Sequence, residues 1–134
     1  MQSFFELRSA CQFDADRLKK MKETALSLLQ TAEKQSYTQA LVLFTSNDAE
    51  YGAVIQNALA ADHAEEIALL DRLRSANDTA VRYVLCVWSD VCVDIPSHAF
   101  RTLLCDLDPQ NSETLIFVKT KTEIAAVKLQ NVLK

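Results

Sequence analysis

The sequence predicts an α/β protein with three layers, in which a mixed central sheet carries helices on both faces. Short apolar runs rich in β-branched residues alternate along the chain with longer segments whose apolar residues recur at helical spacing. The 134 residues are 49% hydrophobic and 24% charged, which is typical of a domain with its own core. We therefore expect one α/β/α domain over residues 1–134.

The first segments predict a helix followed by a β-hairpin. Apolar residues recur at helical spacing from an N-cap at Asp14 or Asp16 to about Lys34. The runs QALVLFTS (39–46) and YGAVIQNA (51–58) flank the turn residues NDAE. This pattern predicts two antiparallel strands.

The middle of the chain predicts a helix, a buried strand and another helix. Helical spacing covers residues 63–75, and VRYVLCVWS (81–89) is so apolar that both faces of the strand should be buried. After Pro96, apolar residues recur at positions i, i+3, i+4 and i+7 from Phe100. Proline is tolerated in the first turn of a helix, so a helix is predicted to begin there.

The last segments predict a strand, ETLIFVKT (113–120), and a closing helix, TEIAAVKLQNVLK (122–134), capped by Thr122. The predicted order is α-β-β-α-β-α-β-α. Strands joined through a helix should run parallel, whereas the hairpin strands should be antiparallel. A mixed sheet follows.

Composition excludes several classes of function. The net charge is −4 and the only basic cluster is RLKKMK (17–22), so a nucleic-acid groove is not expected. A single glycine, where average usage gives about nine, excludes P-loop and Rossmann phosphate sites. The N-terminus meets acidic residues before any long apolar run, which predicts neither a signal peptide nor a membrane span. A cytoplasmic protein with reduced cysteines is expected.

Three motifs, in this order and spacing, resemble the cytidine deaminase family. HAE (63–65) opens the second helix, PSHAFR (96–101) opens the third, and GAVIQNA (52–58) lies in the hairpin. Zinc deaminases carry H-x-E followed by P-C-x-x-C, in which the Glu is a general acid/base and not a ligand. The resemblance covers almost the whole chain and implies a cytidine deaminase-like fold, with His63 as a remnant zinc ligand and Glu65 as a remnant proton shuttle.

The same motifs depart from the family where the chemistry is done. By resemblance, Ser97 and Phe100 occupy the two cysteine positions. A serine hydroxyl is a poor zinc ligand and phenylalanine is none, whereas catalytic zinc needs three protein ligands beside its water. The resemblance therefore implies a degenerate member that lacks the zinc-binding cysteines.

The hairpin motif departs in the same direction. Family members hold ribose with Asn and Glu in a G-x-N-x-E-N-A-like segment, but Val54 and Gln56 stand at those two positions here. Loss of a buried hydrogen-bonding partner weakens recognition strongly. Gln56 and Asn57 are expected to line what is left of the substrate pocket.

Each site residue also has a simpler interpretation. Asp62 and Glu65 fit a capping box at a helix start, and His63 can simply be hydrogen-bonded there. Phe100 fits the core stripe of its helix. A shifted metal site would need His98 together with Cys86 or Cys92.

Three functional hypotheses follow from the resemblance. The first is a catalytically inactive binding or assembly subunit that needs no cofactor and forms a homo-oligomer, or a hetero-oligomer with an active deaminase. The second is an active zinc-dependent nucleoside deaminase with an unorthodox metal site. The third is a metal-free sensor of a nucleotide or another small molecule. A membrane or nucleic-acid partner is not expected under any of them.

Overall fold

Three α-helices and six β-strands make up the part of the chain that the computed structural model describes, residues 10–33 and 35–133. The helices are α1 (Ala15–Thr31), α2 (Ala64–Ser75) and α3 (His98–Leu107). The strands are β1 (Gln39–Thr45), β2 (Glu50–Ile55), β3 (Val81–Trp88), β4 (Val93–Asp94), β5 (Leu115–Lys119) and β6 (Ile124–Lys128). Short 3-10 turns follow α3 at Pro109–Glu113 and β6 at Leu129–Asn131.

The sheet is mixed, as the sequence predicts. Its strands lie in the order β2-β1-β3-β5-β6, and the short β4 pairs with β3. The hairpin β1–β2 is antiparallel, β1–β3 is antiparallel and β3–β5 is parallel. β2 and β3, which α2 connects, therefore point in the same direction on either side of β1. The predicted hairpin and the parallel pair joined through a helix are both confirmed.

The sheet separates two apolar cores. On one face α1 contributes Met21, Ala25 and Leu29, all buried. On the other face α2 and α3 contribute residues such as Leu73 and Phe100, both 0% exposed. This arrangement confirms the three-layer α/β/α architecture. None of the three helices in the described residues is both long and apolar enough to cross a membrane.

The closing helix predicted for residues 122–134 is wrong. Ile124–Lys128 instead form β6, which pairs antiparallel with β5. Thr122, the predicted cap, lies in the turn between these strands, and its N–H donates to Thr120 Oγ. Ala125, Ala126 and Val127 are all buried. Such a run suits a buried strand as well as a buried helix, and pairing with β5 decides between them. Lys134 lies outside the described residues.

Two other boundaries differ from prediction by a few residues. Asp14 is the N-cap of α1 and accepts the N–H groups of Asp16 and Arg17, but the helix already ends at Thr31. Lys34, its predicted end, lies outside the described residues. β2 ends at Ile55, so residues 56–58 form a loop that leads to α2. Helix and strand ends are the least determined part of a local pattern.

Gly52 marks a close approach of α1 to the hairpin. A Cβ placed there would lie 2.9 Å from Leu28 Cδ1 and 3.6 Å from Thr24 Cγ2. Its φ angle is not positive, so space and not backbone conformation favours glycine here. The single glycine of the chain therefore sets the packing of β2 against α1.

Candidate functional site

The start of α2 is strained at His63. This residue is the N-cap of the helix and has φ 51° and ψ 35°, in the left-handed region, with no side-chain hydrogen bond that caps the helix. Non-glycine residues seldom adopt this conformation, and such strain is often found at functional sites. Asp62 Oδ1 accepts only the N–H of Ala64, at 3.3 Å. The predicted capping box is therefore wrong at its first residue.

The prediction that Glu65 is the second member of that capping box is wrong as well. Its Oε2 accepts the backbone N–H of Gln56 at 3.1 Å, so the carboxylate joins α2 to the loop after β2. The Gln56 side chain turns away and donates from Nε2 to Glu33 O at 3.0 Å. Two of the residues that the sequence singled out, Glu65 and Gln56, are thus brought together, but through the backbone of Gln56.

Asn57 does not share that contact. Its side chain is exposed, and Oδ1 accepts the N–H of Leu59 at 3.0 Å in a local turn. Val54, which stands at a ribose-contacting position by resemblance, lies half-buried in β2. Asn57 therefore acts as a turn residue, a common role for asparagine.

The start of α3 is capped by Ser97. Its Oγ accepts the N–H of Phe100 at 3.1 Å and donates its own proton to Glu66 Oε2 at 2.9 Å. An N-cap serine satisfies one of the helix N–H groups that have no partner inside the helix. The Ser97 hydroxyl, which stands at the first cysteine position by resemblance, therefore both donates and accepts a hydrogen bond.

Glu66 joins the two helix starts. Its Oε1 lies 3.0 Å from His63 Nδ1, and its Oε2 accepts from Ser97. The residue is only 4% exposed, so both carboxylate oxygens are removed from water and satisfied by side chains. One buried carboxylate thus lies between His63 and Ser97, the residues at two of the three zinc-ligand positions that the resemblance assigns.

Phe100 occupies the third of these positions and belongs to the core. It is 0% exposed, in a cluster that includes Leu69, Leu73 and Leu104. The prediction that its ring fills apolar space is confirmed. A ring at this position brings no donor atom to the site.

The shifted metal site has no geometric support. His98 and Cys92 are exposed, whereas Cys86 is buried in β3. Burial raises the pKa of the Cys86 thiol far above its usual range, and the nearby carboxylates of Asp94 and Glu66 raise it further. Within residues 10–33 and 35–133, no group of three or more His, Cys, Asp or Glu side chains is placed to hold a metal.

The side chains present therefore do not fit the zinc centre that the resemblance implies. Of its three ligand positions, only one carries a histidine; the second carries a serine that makes two hydrogen bonds, and the third a buried phenyl ring that has no donor atom. Structural and catalytic zinc sites use Cys, His and carboxylate ligands. What the arrangement can do is hold α2 and α3 together through hydrogen bonds.

Sequence reasoning missed the central role of Glu66. It appears in the sequence only as the residue after HAE, three positions from His63. An acidic residue at that spacing from a histidine lies on the same helix face and could have been examined as its partner. Its contact with Ser97 spans 31 positions and has no local signal.

The comparison with solved structures supports the architecture described above. No protein-family model matches the chain, and no curated protein sequence matches it. Among solved structures, cytidine deaminase from Mycobacterium tuberculosis is similar with a TM-score of 0.66 and 16% identity, over 90% of this chain and 95% of that chain.

Two further cytidine deaminase structures are similar over nearly their whole length. The enzyme from Mycobacterium leprae has a TM-score of 0.62 and 15% identity, over 87% of this chain and 96% of that one. The enzyme from Burkholderia pseudomallei has a TM-score of 0.60 and 11% identity, over 85% and 94%. At these identities the likeness concerns the fold. The chain has a cytidine deaminase-like fold.

Proposed function

We propose that this chain is a cytidine deaminase-like protein that does not catalyse zinc-dependent deamination and serves as a binding or assembly subunit. The observation that carries the proposal is the Glu66 bridge. Its carboxylate accepts from Ser97 and contacts His63, while Phe100 is fully buried beside them. Ser97 and Phe100 bring no thiolate to the site, and His63 alone cannot supply the three protein ligands of a catalytic zinc.

The pocket side of the site supports the same proposal. The backbone N–H of Gln56 donates to the Glu65 carboxylate, and its side-chain amide donates to the Glu33 carbonyl. Neither of these two Gln56 donors is therefore directed at a sugar hydroxyl. The side chain of Val54 offers no hydrogen-bonding group. Recognition of a nucleoside through buried polar groups depends on every partner being present. Weak nucleoside binding at most is therefore expected.

The assembly role can be tested at two apolar side chains that the helices leave exposed. Ile67 on α2 is 43% exposed and Leu26 on α1 is 41% exposed. Contiguous exposed apolar patches mark interfaces between proteins, whereas a single exposed apolar side chain is normal, so these two positions test the assembly role and do not carry it. We propose a homo-oligomer, or a hetero-oligomer with an active deaminase, in the cytoplasm.

The catalytic half of the proposal is tested by a deamination assay. Cytidine is incubated with the protein, with and without added zinc, and ammonia release is measured for the wild type and for Glu65→Gln. No release above the buffer background is expected from either protein. Zinc-dependent release by the wild type that Glu65→Gln abolishes in a folded protein would establish the active deaminase instead.

The assembly half is tested by sedimentation at several protein concentrations. We expect a mass above that of one chain. Ile67→Glu and Leu26→Glu form a matched pair, because each places a charge on a similarly exposed position of a different helix. Dissociation by only one of them identifies the helix in the interface. A monomer at all concentrations, alone and mixed with an active deaminase, would contradict the assembly role.

A further inference from the structure

A cavity of about 300 Å³ lies between α1, the segment that leads into β4, and the turn between β5 and β6. Its lining brings together three lysines: Lys22 from α1, Lys119 at the end of β5, and Lys121 in the turn that follows. Lys22 is distant from the other two in sequence, so the fold and not a local run creates this cluster. We call it the lysine cavity.

The three ammonium groups are not neutralised by ion pairs. Each of these lysines is exposed, and none forms an ion pair with a carboxylate in the part of the chain that the structure describes. Glu123 is the one carboxylate among the described residues that lines the cavity, and it is exposed as well. An excess of positive charge therefore remains in the lining.

The carboxylates next to the cavity face other surfaces. Asp90 Oδ1 accepts the N–H of Cys92 at 3.1 Å, and Asp90 lines a different cleft. Glu23 follows Lys22 on α1 but lines a separate cleft of that helix. The lysine cavity is thus positive in a chain whose net charge is −4.

Part of the lining is apolar. Val93 and Ile124 line the cavity and also pack against the core beneath α1. A cleft that combines charges of one sign with apolar walls concentrates the electric field and attracts counter-ions. The volume is at the lower end of the range for small-molecule sites, so the cavity suits a small anion.

We propose that the lysine cavity binds a small molecule that bears a phosphate group. Lysine binds phosphate as a compact point charge, and a phosphate monoester carries close to two negative charges at neutral pH. Lys22 would hold the phosphate from α1, whereas Lys119 and Lys121 would hold it from the β5–β6 turn. The phosphate can be free or belong to a sugar phosphate or a nucleotide, and the experiment separates these sources.

This proposal goes beyond the proposed function and does not rest on it, because none of His63, Glu66 and Ser97 lines the lysine cavity. Its test measures phosphate binding and not deamination or oligomer mass. An inactive, oligomeric protein that binds no phosphate compound would overturn this proposal alone.

The test is calorimetric titration at constant pH and ionic strength, with thermal unfolding in parallel. Separate arms use inorganic phosphate, glycerol 3-phosphate and adenosine 5′-monophosphate at millimolar concentrations. We expect saturable binding of at least one of them, with a matching rise in melting temperature. No saturable binding in any arm would overturn the proposal, as would binding to anionic phospholipid vesicles without binding in any of these arms.

Lysine variants assign the binding to the cavity. Lys22→Gln, Lys119→Gln and Lys121→Gln should each weaken binding about two- to fivefold, as is typical of one exposed charge pair, and the triple variant should show no saturable binding. Lys20→Gln is the matched control, because Lys20 is an exposed lysine of the same helix that lines a separate cleft. Wild-type affinity in the triple variant would overturn the proposal.

Glu123 predicts a change in the opposite direction. Glu123→Gln removes the carboxylate from the lining and should tighten phosphate binding about two- to fivefold. Asp106→Asn is the control, because Asp106 is an exposed carboxylate on α3 that does not line the cavity. Unchanged or weaker binding by Glu123→Gln would contradict the proposal.

Cys92 reports whether the bound phosphate occupies this cavity. Its thiol is exposed, and Cys92 lines the cavity with the lysines. The bound phosphate compound should slow alkylation of Cys92 by uncharged iodoacetamide, followed by mass spectrometry. Cys11 and Cys105 do not line the cavity and should react at unchanged rates. Saturable binding without protection of Cys92 would place the ligand elsewhere and overturn the proposal.

Discussion

The two halves of the candidate site differ in what their side chains can do. The α2 half keeps groups that could take part in chemistry, since His63 and Glu65 are polar and only partly buried. The α3 half keeps the backbone frame of a helix start but presents a hydroxyl engaged in two hydrogen bonds and a buried ring. Glu66 lies between the two halves, and its carboxylate contacts His63 in the α2 half and accepts a hydrogen bond from Ser97 in the α3 half.

Under the proposed function, this difference means that the fold persists without the chemistry of the site. Two helix starts that a metal would hold together need some other link once the ligands change. A buried carboxylate with side-chain partners on both helices supplies hydrogen bonds across the same gap. We therefore propose that Glu66 takes over the structural role that a metal would have between the two helix starts, and we expect the following variants to separate the two halves of the site.

Removal of the ring in the α3 half should cost most. Phe100→Ala leaves a cavity in a fully buried cluster and should lower the free energy of unfolding by about 3–5 kcal/mol, measured by urea denaturation. Leu59→Ala, at a 64% exposed position, is the control and should cost little. A loss below about 1 kcal/mol for Phe100→Ala would mean that the ring does not pack as described.

Loss of the bridge should cost somewhat less. Glu66→Ala removes the acceptor of Ser97 and the partner of His63, and should destabilise the protein by about 2–3 kcal/mol. A double-mutant cycle with Ser97→Ala should give a coupling of about 1 kcal/mol between Ser97 and Glu66. The helix cap that Ser97→Ala removes is lost both with and without Glu66, so its cost cancels in the cycle. Additive effects would show that the two halves are not linked through this carboxylate.

The thiol next to the bridge predicts a pH dependence. In the unfolded chain Cys86 ionises near pH 8.5, whereas the raised pKa in the fold keeps it protonated. Above that pH the unfolded state holds fewer protons than the folded state, so stability falls as pH rises. Between about pH 8 and pH 10 the wild type should lose about 2 kcal/mol more than Cys86→Ala, measured by denaturation at each pH.

Cys92→Ala is the control for this pH series. Cys92 is exposed, so Cys92→Ala should show the same dependence of the unfolding free energy on pH as the wild type. Equal pH slopes for the wild type and Cys86→Ala would show that the Cys86 thiol ionises in the folded protein as easily as in the unfolded chain.

The smallest effect is expected in the α2 half. Glu65→Ala removes one partly buried acceptor from Gln56 N–H and should cost about 1 kcal/mol of unfolding free energy. Glu65→Gln keeps an acceptor oxygen and should cost less. A cost for Glu65→Ala that equals or exceeds that of Glu66→Ala would invert the roles assigned to these neighbours.

The elements that a local pattern could specify were predicted well. The stripe of α3 from Phe100 and the hairpin turn at residues 46–49 are encoded by spacing within a few residues. β6 was missed because Ala125–Val127 are buried on both faces, a property that comes from pairing with β5 and from covering layers. Periodicity alone cannot separate a short buried helix from a buried strand.

The sequence predicted which residues lie at the two helix starts but not the contacts that these residues make. The motifs placed His63, Ser97 and Phe100 at the right helix starts. The capping box at residues 62–65 failed because His63 adopts a left-handed conformation, which redirects Glu65 to Gln56. The bond between Glu66 and Ser97 joins distant parts of the chain, and only the packed helices bring them together.

The most direct test of the central claim is the zinc content of the wild type, measured by elemental analysis of protein purified without chelators or metal-affinity resin. Ser97→Cys/Phe100→Cys, analysed in parallel, restores both thiols by resemblance and should take up zinc if it folds. For the wild type we expect far less than one zinc atom per chain, even after incubation with zinc and removal of the excess. Stoichiometric zinc in the well-folded wild type would contradict it, because the side chains bridged by Glu66 would then be metal ligands.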